Sequence, residues 1–91
     1  MAIELDPEYA MAYNNRGRAY LNMGQFDQAI ADCNKAIELD PNLAIAYGNR
    51  ALAYTFVGMD AEAEQDIERA VELGVDHTFL EGMVEQAKQV R

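Results

Sequence analysis

The hexapeptide Ala2-Ile3-Glu4-Leu5-Asp6-Pro7 returns unchanged as Ala36-Ile37-Glu38-Leu39-Asp40-Pro41. The same 34-residue shift lays Tyr13 on Tyr47, Asn15 on Asn49, Arg16 on Arg50 and Tyr20 on Tyr54. A repeated unit of this length is one supersecondary piece that cannot bury its own apolar face, so neighbouring units must stack on it. That arrangement predicts a binding scaffold and not an enzyme. At 91 residues, 51% of them hydrophobic, the chain makes at most one domain with a modest core and no deep catalytic cavity.

Sixteen acidic against seven basic residues give a net charge of −9, which repels phosphate backbones and anionic lipid surfaces. Nucleic acid and membrane are therefore excluded as expected partners. No apolar run approaches the roughly 20 residues that cross a bilayer, and residues 1–20 lack the basic start and apolar stretch of an export signal. Cys33 is the single cysteine and His77 the single histidine, so neither an internal disulfide nor a zinc ligand set can form, and no cofactor is expected. The cysteine usage leaves the compartment open and leans to the cytoplasm.

Small or apolar residues at Tyr9, Ala12, Tyr13, Gly17, Ala19, Tyr20 and Met23 follow the three-and-four spacing of one helix face. Gly24 is a natural left-handed terminator, and Asp27 can cap the helix that follows. In that second helix Phe26, Ala29, Ile30, Cys33, Ala36 and Ile37 keep the spacing until Asp40-Pro41-Asn42 stops it. The grammar repeats, with a helix over about 43–57, Gly58, a helix over about 60–73, and Gly74. A last helix carries Phe79, Leu80, Met83, Val84, Ala87 and Val90 along one side, as the open end of a stack requires.

Tyr13, Gly17, Tyr20, Gly24, Phe26, Ala29, Ala36 and Pro41 in one register resemble the tetratricopeptide repeat. The second unit keeps Tyr47, Tyr54, Gly58, Ala63 and Ala70, has Ala51 where glycine is usual, and departs at Asp60 and Val75 from the usual aromatic and proline. In this reading residues 1–9 are the tail of a preceding repeat, 10–43 and 44–77 are two full repeats, and 78–91 are the terminal solvating helix. The resemblance implies an all-α, right-handed solenoid whose first helices line a concave groove that holds a peptide or partner protein. Some members clamp the acidic tails of chaperones. Asn15 or Asn49 matches that clamp's asparagine, but its lysines and a third full repeat are missing here.

Between Tyr9 and Met23 and between Leu43 and Val57 lie Arg16, Arg18 and Arg50 and no acid, whereas acids crowd the second helices. The family geometry therefore predicts a neutral to slightly basic groove taking an extended, acidic or carboxylate-bearing peptide. Helical spacing assigns Met11, Asn14, Asn15, Arg18 and Asn22 to it, continued by Ile45, Gly48, Asn49, Leu52 and Phe56. Asparagine amides both donate and accept, which makes Asn15 and Asn49 the expected central clamps on a peptide backbone. The blander reading is that they are solvated residues copied with the repeat.

Arg16 and Arg50 precede Asp32 and Asp66 by the same 16 residues, which predicts structural Arg–carboxylate pairs across each hairpin. Cys33, aligned with Ile67, reads as a buried small hydrophobe, and His77 as part of a helix start. The competing function is self-association: nine residues are too few to cover the flank of the first hairpin, so Ile3, Leu5 and Tyr9 would form an edge for a second copy or a neighbouring repeat. An enzyme has no nucleophile with a base, phosphate loop or paired histidines to support it.

Overall fold

The computed structural model describes residues 7–91, with side chains from Tyr9 onward, and within them places five helices: α1 (Pro7–Asn22), α2 (Phe26–Leu39), α3 (Ala44–Phe56), α4 (Asp60–Glu72) and α5 (His77–Val90). Glycine separates most of them. Gly24, Gly58 and Gly74 have φ of 77°, 84° and 113°. At each, the following residue's amide reaches back five residues, Gln25 to Tyr20, Met59 to Tyr54 and Val75 to Ala70, at 2.8–3.0 Å. This left-handed cap satisfies carbonyls that a helix end otherwise leaves bare and turns the chain at once into the next helix. The α2–α3 junction is built differently: Asp40, before proline, is extended at φ −144°, and its carboxylate accepts the Asn42 amide at 3.1 Å.

Two helix starts differ from the sequence expectation. α1 covers Pro7–Asn22, so among the described residues it already includes 7 and 8, ahead of the start at Tyr9 that the spacing predicts. Glu8 thus falls within α1, a helix expected to be free of acids. Asp27 does not cap α2, which opens at Phe26 behind Gln25 with no side-chain cap; Asp27 sits inside the first turn, where its charge still favours the helix N-terminus. By contrast Asp76 caps α5 by accepting the Phe79 amide at 2.8 Å.

The helices pack as hairpins α1–α2 and α3–α4, joined through α2 on α3, with α5 laid on α3. Two layers result, α1, α3 and α5 in one and α2 and α4 in the other. Extents of 46 × 27 × 18 Å fit a short stack and not a closed bundle. Small residues set the spacing: Ala29, Ala36, Ala51, Ala63 and Ala70 are all buried. At Gly17 an added Cβ would lie 3.2 Å from the Ala29 carbonyl oxygen and 3.2 Å from Asp32 Cβ, so α1 meets α2 with no room to spare. The all-α repeat solenoid expected from the sequence is the observed fold.

The two joints use different chemistry. Phe26 at the start of α2 stacks on Phe56 at the end of α3, with centroids 4.7 Å apart and planes 5° from parallel. One repeat on, Asp60 replaces that aromatic and takes Arg91, with oxygen–nitrogen distances of 2.6 and 3.2 Å, while Arg91 also donates to the Thr55 carbonyl at 2.8 Å. The Arg91 hydrogen bond and charge hold the Asp60 carboxyl below its ordinary range.

Glycines in this fold differ in what they tolerate. Gly82, inside α5 with nothing within 4 Å of a built Cβ, should gain about 0.5–1 kcal/mol on Gly82→Ala. Gly58→Ala, at φ +84°, should lose about 1–2 kcal/mol. Urea denaturation followed by helical circular dichroism checks the opposite signs.

Candidate functional site

Each hairpin is tied together by an arginine paired with a buried aspartate. Arg16 donates to both Asp32 oxygens at 2.8 Å, and Arg50 to both Asp66 oxygens at 2.8 and 2.7 Å. Asp32 and Asp66 are buried, so a bidentate partner is what makes their charge tolerable there. The tyrosines complete the lock: Arg16 lies 5.6 and 5.9 Å from the Tyr13 and Tyr20 rings, and Arg50 lies 5.6 and 5.7 Å from those of Tyr47 and Tyr54. Hydrogen bonding to the aspartates raises both guanidinium pKa values further above the ordinary arginine range. Arg50 also reaches Asn34 on α2 at 2.9 Å, so it fixes the joint as well as the hairpin. These arginines are structural, as their spacing predicts.

The third arginine of the first helices is placed differently. Arg18 Nη1 donates to Asn49 Oδ1 at 3.0 Å, and Asn49 Nδ2 donates in turn to Asn14 Oδ1 at 2.9 Å. This chain of amides bridges α1 to α3. Asn14 and Asn49 are only 2% and 4% exposed, and of the two expected clamps, Asn15 and Asn49, the second is hydrogen-bonded to Asn14 and Arg18 within the joint. Asn15 is exposed, and Asn49, its repeat equivalent, is inside. The relay is legible in hindsight, because Asn14 and Asn49 stand 35 residues apart, one repeat plus one.

Above this relay, α1, α3 and α5 enclose a continuous depression. One part, of about 360 Å³, is lined by Arg18, Leu21 and Asn22 of α1, Leu52 and Phe56 of α3, and Met83, Gln86, Ala87 and Val90 of α5. The adjoining part, of about 240 Å³, is lined by Arg18, Ile45, Gly48, Asn49, Leu52, Val75, Phe79, Leu80 and Met83. Arg18, Leu52 and Met83 belong to both. Neither part has an acidic lining residue, and Arg18 is the one charge among their walls.

Of the residues assigned to the groove from sequence, Arg18, Asn22, Ile45, Gly48, Asn49, Leu52 and Phe56 line it, Asn14 lies beneath it, and exposed Met11 and Asn15 line neither part. Six α5 residues that line it, Phe79, Leu80, Met83, Gln86, Ala87 and Val90, were not assigned to it from sequence. Phe79, Met83, Gln86 and Val90 form a wall, whereas the sequence reading gives Phe79, Met83 and Val90 to the capping side. Only Leu80, Val84 and Ala87 are buried as caps; Phe79 and Val90 are 65% and 69% exposed. The signal was an apolar arc on α5 wider than one docking seam needs.

The outer surface is the opposite in character, with Glu64, Glu68, Glu72 and Glu81 lining a shallow cleft between α4 and α5 beside His77. Of the expected self-association edge, Tyr9 is exposed beside Ala12, Tyr13 and Arg16, while Ile3 and Leu5 lie outside the described residues. No cluster of metal-ligating side chains occurs among the described residues, and none of their helices is long and apolar enough to cross a membrane.

Two models of the tetratricopeptide repeat match the chain, over residues 10–43 and 33–65. The chain belongs to the tetratricopeptide-repeat family. Its repeats are of the kind that generally mediate protein–protein interaction, typically without catalysis. A search of curated proteins finds no match. In tetratricopeptide-repeat terms, α1 and α3 are the first helices of two repeats and α5 continues their layer. Cys33, fully buried, has its thiol pushed up to about 12 by burial, which suits a packing residue and not a nucleophile.

The relay separates the two asparagines by stability. Asn49→Ala should cost about 1–3 kcal/mol by stranding the buried Asn14 amide, whereas Asn15→Ala should stay within about 0.5 kcal/mol of the parent; thermal denaturation of both variants checks this.

Proposed function

We propose that this chain is a non-catalytic interaction module that seats a segment of a partner protein in the α1–α3–α5 depression, with a carboxylate of that segment on Arg18. The observation that supports this most is the charge pattern: the one cation of the depression stands among apolar walls, in a chain of net charge −9 whose acids line the opposite side. An acidic partner is repelled from the acid-rich cleft of α4 and α5 and meets a cation without neighbouring acids here. Because Asn49 holds Arg18 from behind, the guanidinium keeps its remaining N–H groups in a fixed place, and a preordered donor loses less entropy on binding. The sequence expectation of an extended segment drew on the family geometry and charge, with Asn15 and Asn49 as backbone clamps; of these Asn49 is engaged with Asn14 and Arg18.

Self-association through the exposed surface around Tyr9, Ala12, Tyr13 and Arg16 is the second reading. It is favoured by one comparison: Ala46, the repeat equivalent of exposed Ala12, is fully buried in the second unit.

Charge reversal at the groove tests the first reading. Arg18→Glu should reduce affinity for an acidic partner about tenfold or more while Glu62→Arg on the outer face leaves it unchanged, measured by isothermal titration calorimetry. A gain with Glu62→Arg as large as the loss with Arg18→Glu would mean that only net charge is being sensed.

A further inference from the structure

We infer that the segment taken by this depression is an amphipathic helix of another protein, carrying an acidic residue beside its apolar stripe. The inference rests on the groove reading above and specifies its occupant. An extended strand brings in a row of unpaired N–H and C=O groups, each needing a partner once water is displaced. The part beside Ile45 and Phe79 offers almost none, and the part beside Phe56 and Val90 only a few. Leu52, Phe56 and Met83 form the floor, Ile45, Phe79 and Val90 the rim. Asn49 is spent on Asn14 and Arg18, which leaves Arg18, Asn22 and Gln86 as the polar side chains facing an occupant. A helix satisfies its own backbone and presents only side chains.

The dimensions agree. From Ile45 to Phe56 the depression follows α3 for eleven residues, about 17 Å or three turns at about 1.5 Å per residue. Ile45, Leu52 and Phe56 are spaced seven and four residues apart, so one ridge of α3 runs from the rim at Ile45 along the floor, and α1 and α5 stand on either side of it as they would beside a further helix. Arg18 lies at the meeting of the two parts, which places the incoming carboxylate at the flank of the helix near its middle and not at its end. Charge complementarity selects the sign: with no Asp or Glu in either lining, an acidic flank meets Arg18 without opposition, and a basic one is repelled.

The test selects binders to the full chain from a displayed library of random peptides, then measures each winner by fluorescence anisotropy against parent, Phe79→Glu and Arg18→Glu chains. Phe79 lies outside the buried core, whereas Arg18 donates to buried Asn49, so circular dichroism first checks that both variants are folded and Arg18→Gln, which keeps a donor for Asn49 without the charge, repeats the Arg18 arm. Winners are expected to repeat apolar residues at three- and four-residue spacing with an Asp or Glu on the flank, to gain helicity on binding, and to weaken about tenfold or more with either variant. Winners that alternate apolar residues, or carry central prolines, yet remain sensitive to Phe79→Glu would overturn the helix and leave the groove reading standing. Winners insensitive to both variants, or a library with no winners, would overturn both. If the chain instead dimerises in sedimentation and Phe79→Glu abolishes the dimer, the occupant is a second copy and the inference fails.

Discussion

The close approach of the paired helices at Gly17 and Ala51 is the constraint on which the rest of this molecule depends. With no side chain at Gly17, the α2 backbone at Ala29 and the Asp32 side chain come within van der Waals contact of α1, and that proximity brings the Asp32 carboxylate within reach of the neighbouring Arg16. The ion pair is a consequence of the packing, because a buried carboxylate is tolerable only where a guanidinium is already held against it. The second hairpin accepts Ala51 at the same place and still forms the Arg50–Asp66 pair. Once the hairpins are fixed, the joints between them have limited freedom, and the groove is what lies along the exposed side of three neighbouring helices.

The joints are where function enters. A purely repetitive stack would use the same contacts at each step, yet the amide pair Asn14–Asn49 at the first joint has Gly48 and Met83 as its counterparts at the second. The Phe26–Phe56 stack likewise gives way to the Asp60–Arg91 pair. These exchanges leave the α3–α5 side of the depression apolar and the α1 side polar. The depression therefore has two unlike walls, with Arg18 braced on the polar one.

Much of this architecture was legible in sequence because it rests on periodicity. The repeat shift, the glycines at 24, 58 and 74, and the 16-residue spacing of Arg16 to Asp32 and of Arg50 to Asp66 each have one simple structural solution. The site was less legible for a physical reason. A residue at the edge of a helix face turns inward or outward according to what its neighbour helix presents, and spacing within one helix does not carry that information. Asn49 turned inward because Asn14 offers it an acceptor, and Phe79 and Val90 stayed outside because Leu80, Val84 and Ala87 already fill the seam. Asp27 illustrates the same limit at a helix end, since the glycine cap carries the chain into α2 two residues earlier than capping by Asp27 would need.

The central claim is that partners are met by the layer of α1, α3 and α5 and not by the acidic layer of α2 and α4. Methyl cross-saturation by NMR, with an unlabelled bound partner irradiated and the isotopically labelled chain observed, measures this directly. Saturation should appear at Ile45, Leu52, Met83 and Val90, whereas saturation centred on Ile30, Val71 and their neighbours in the opposite layer would contradict the account.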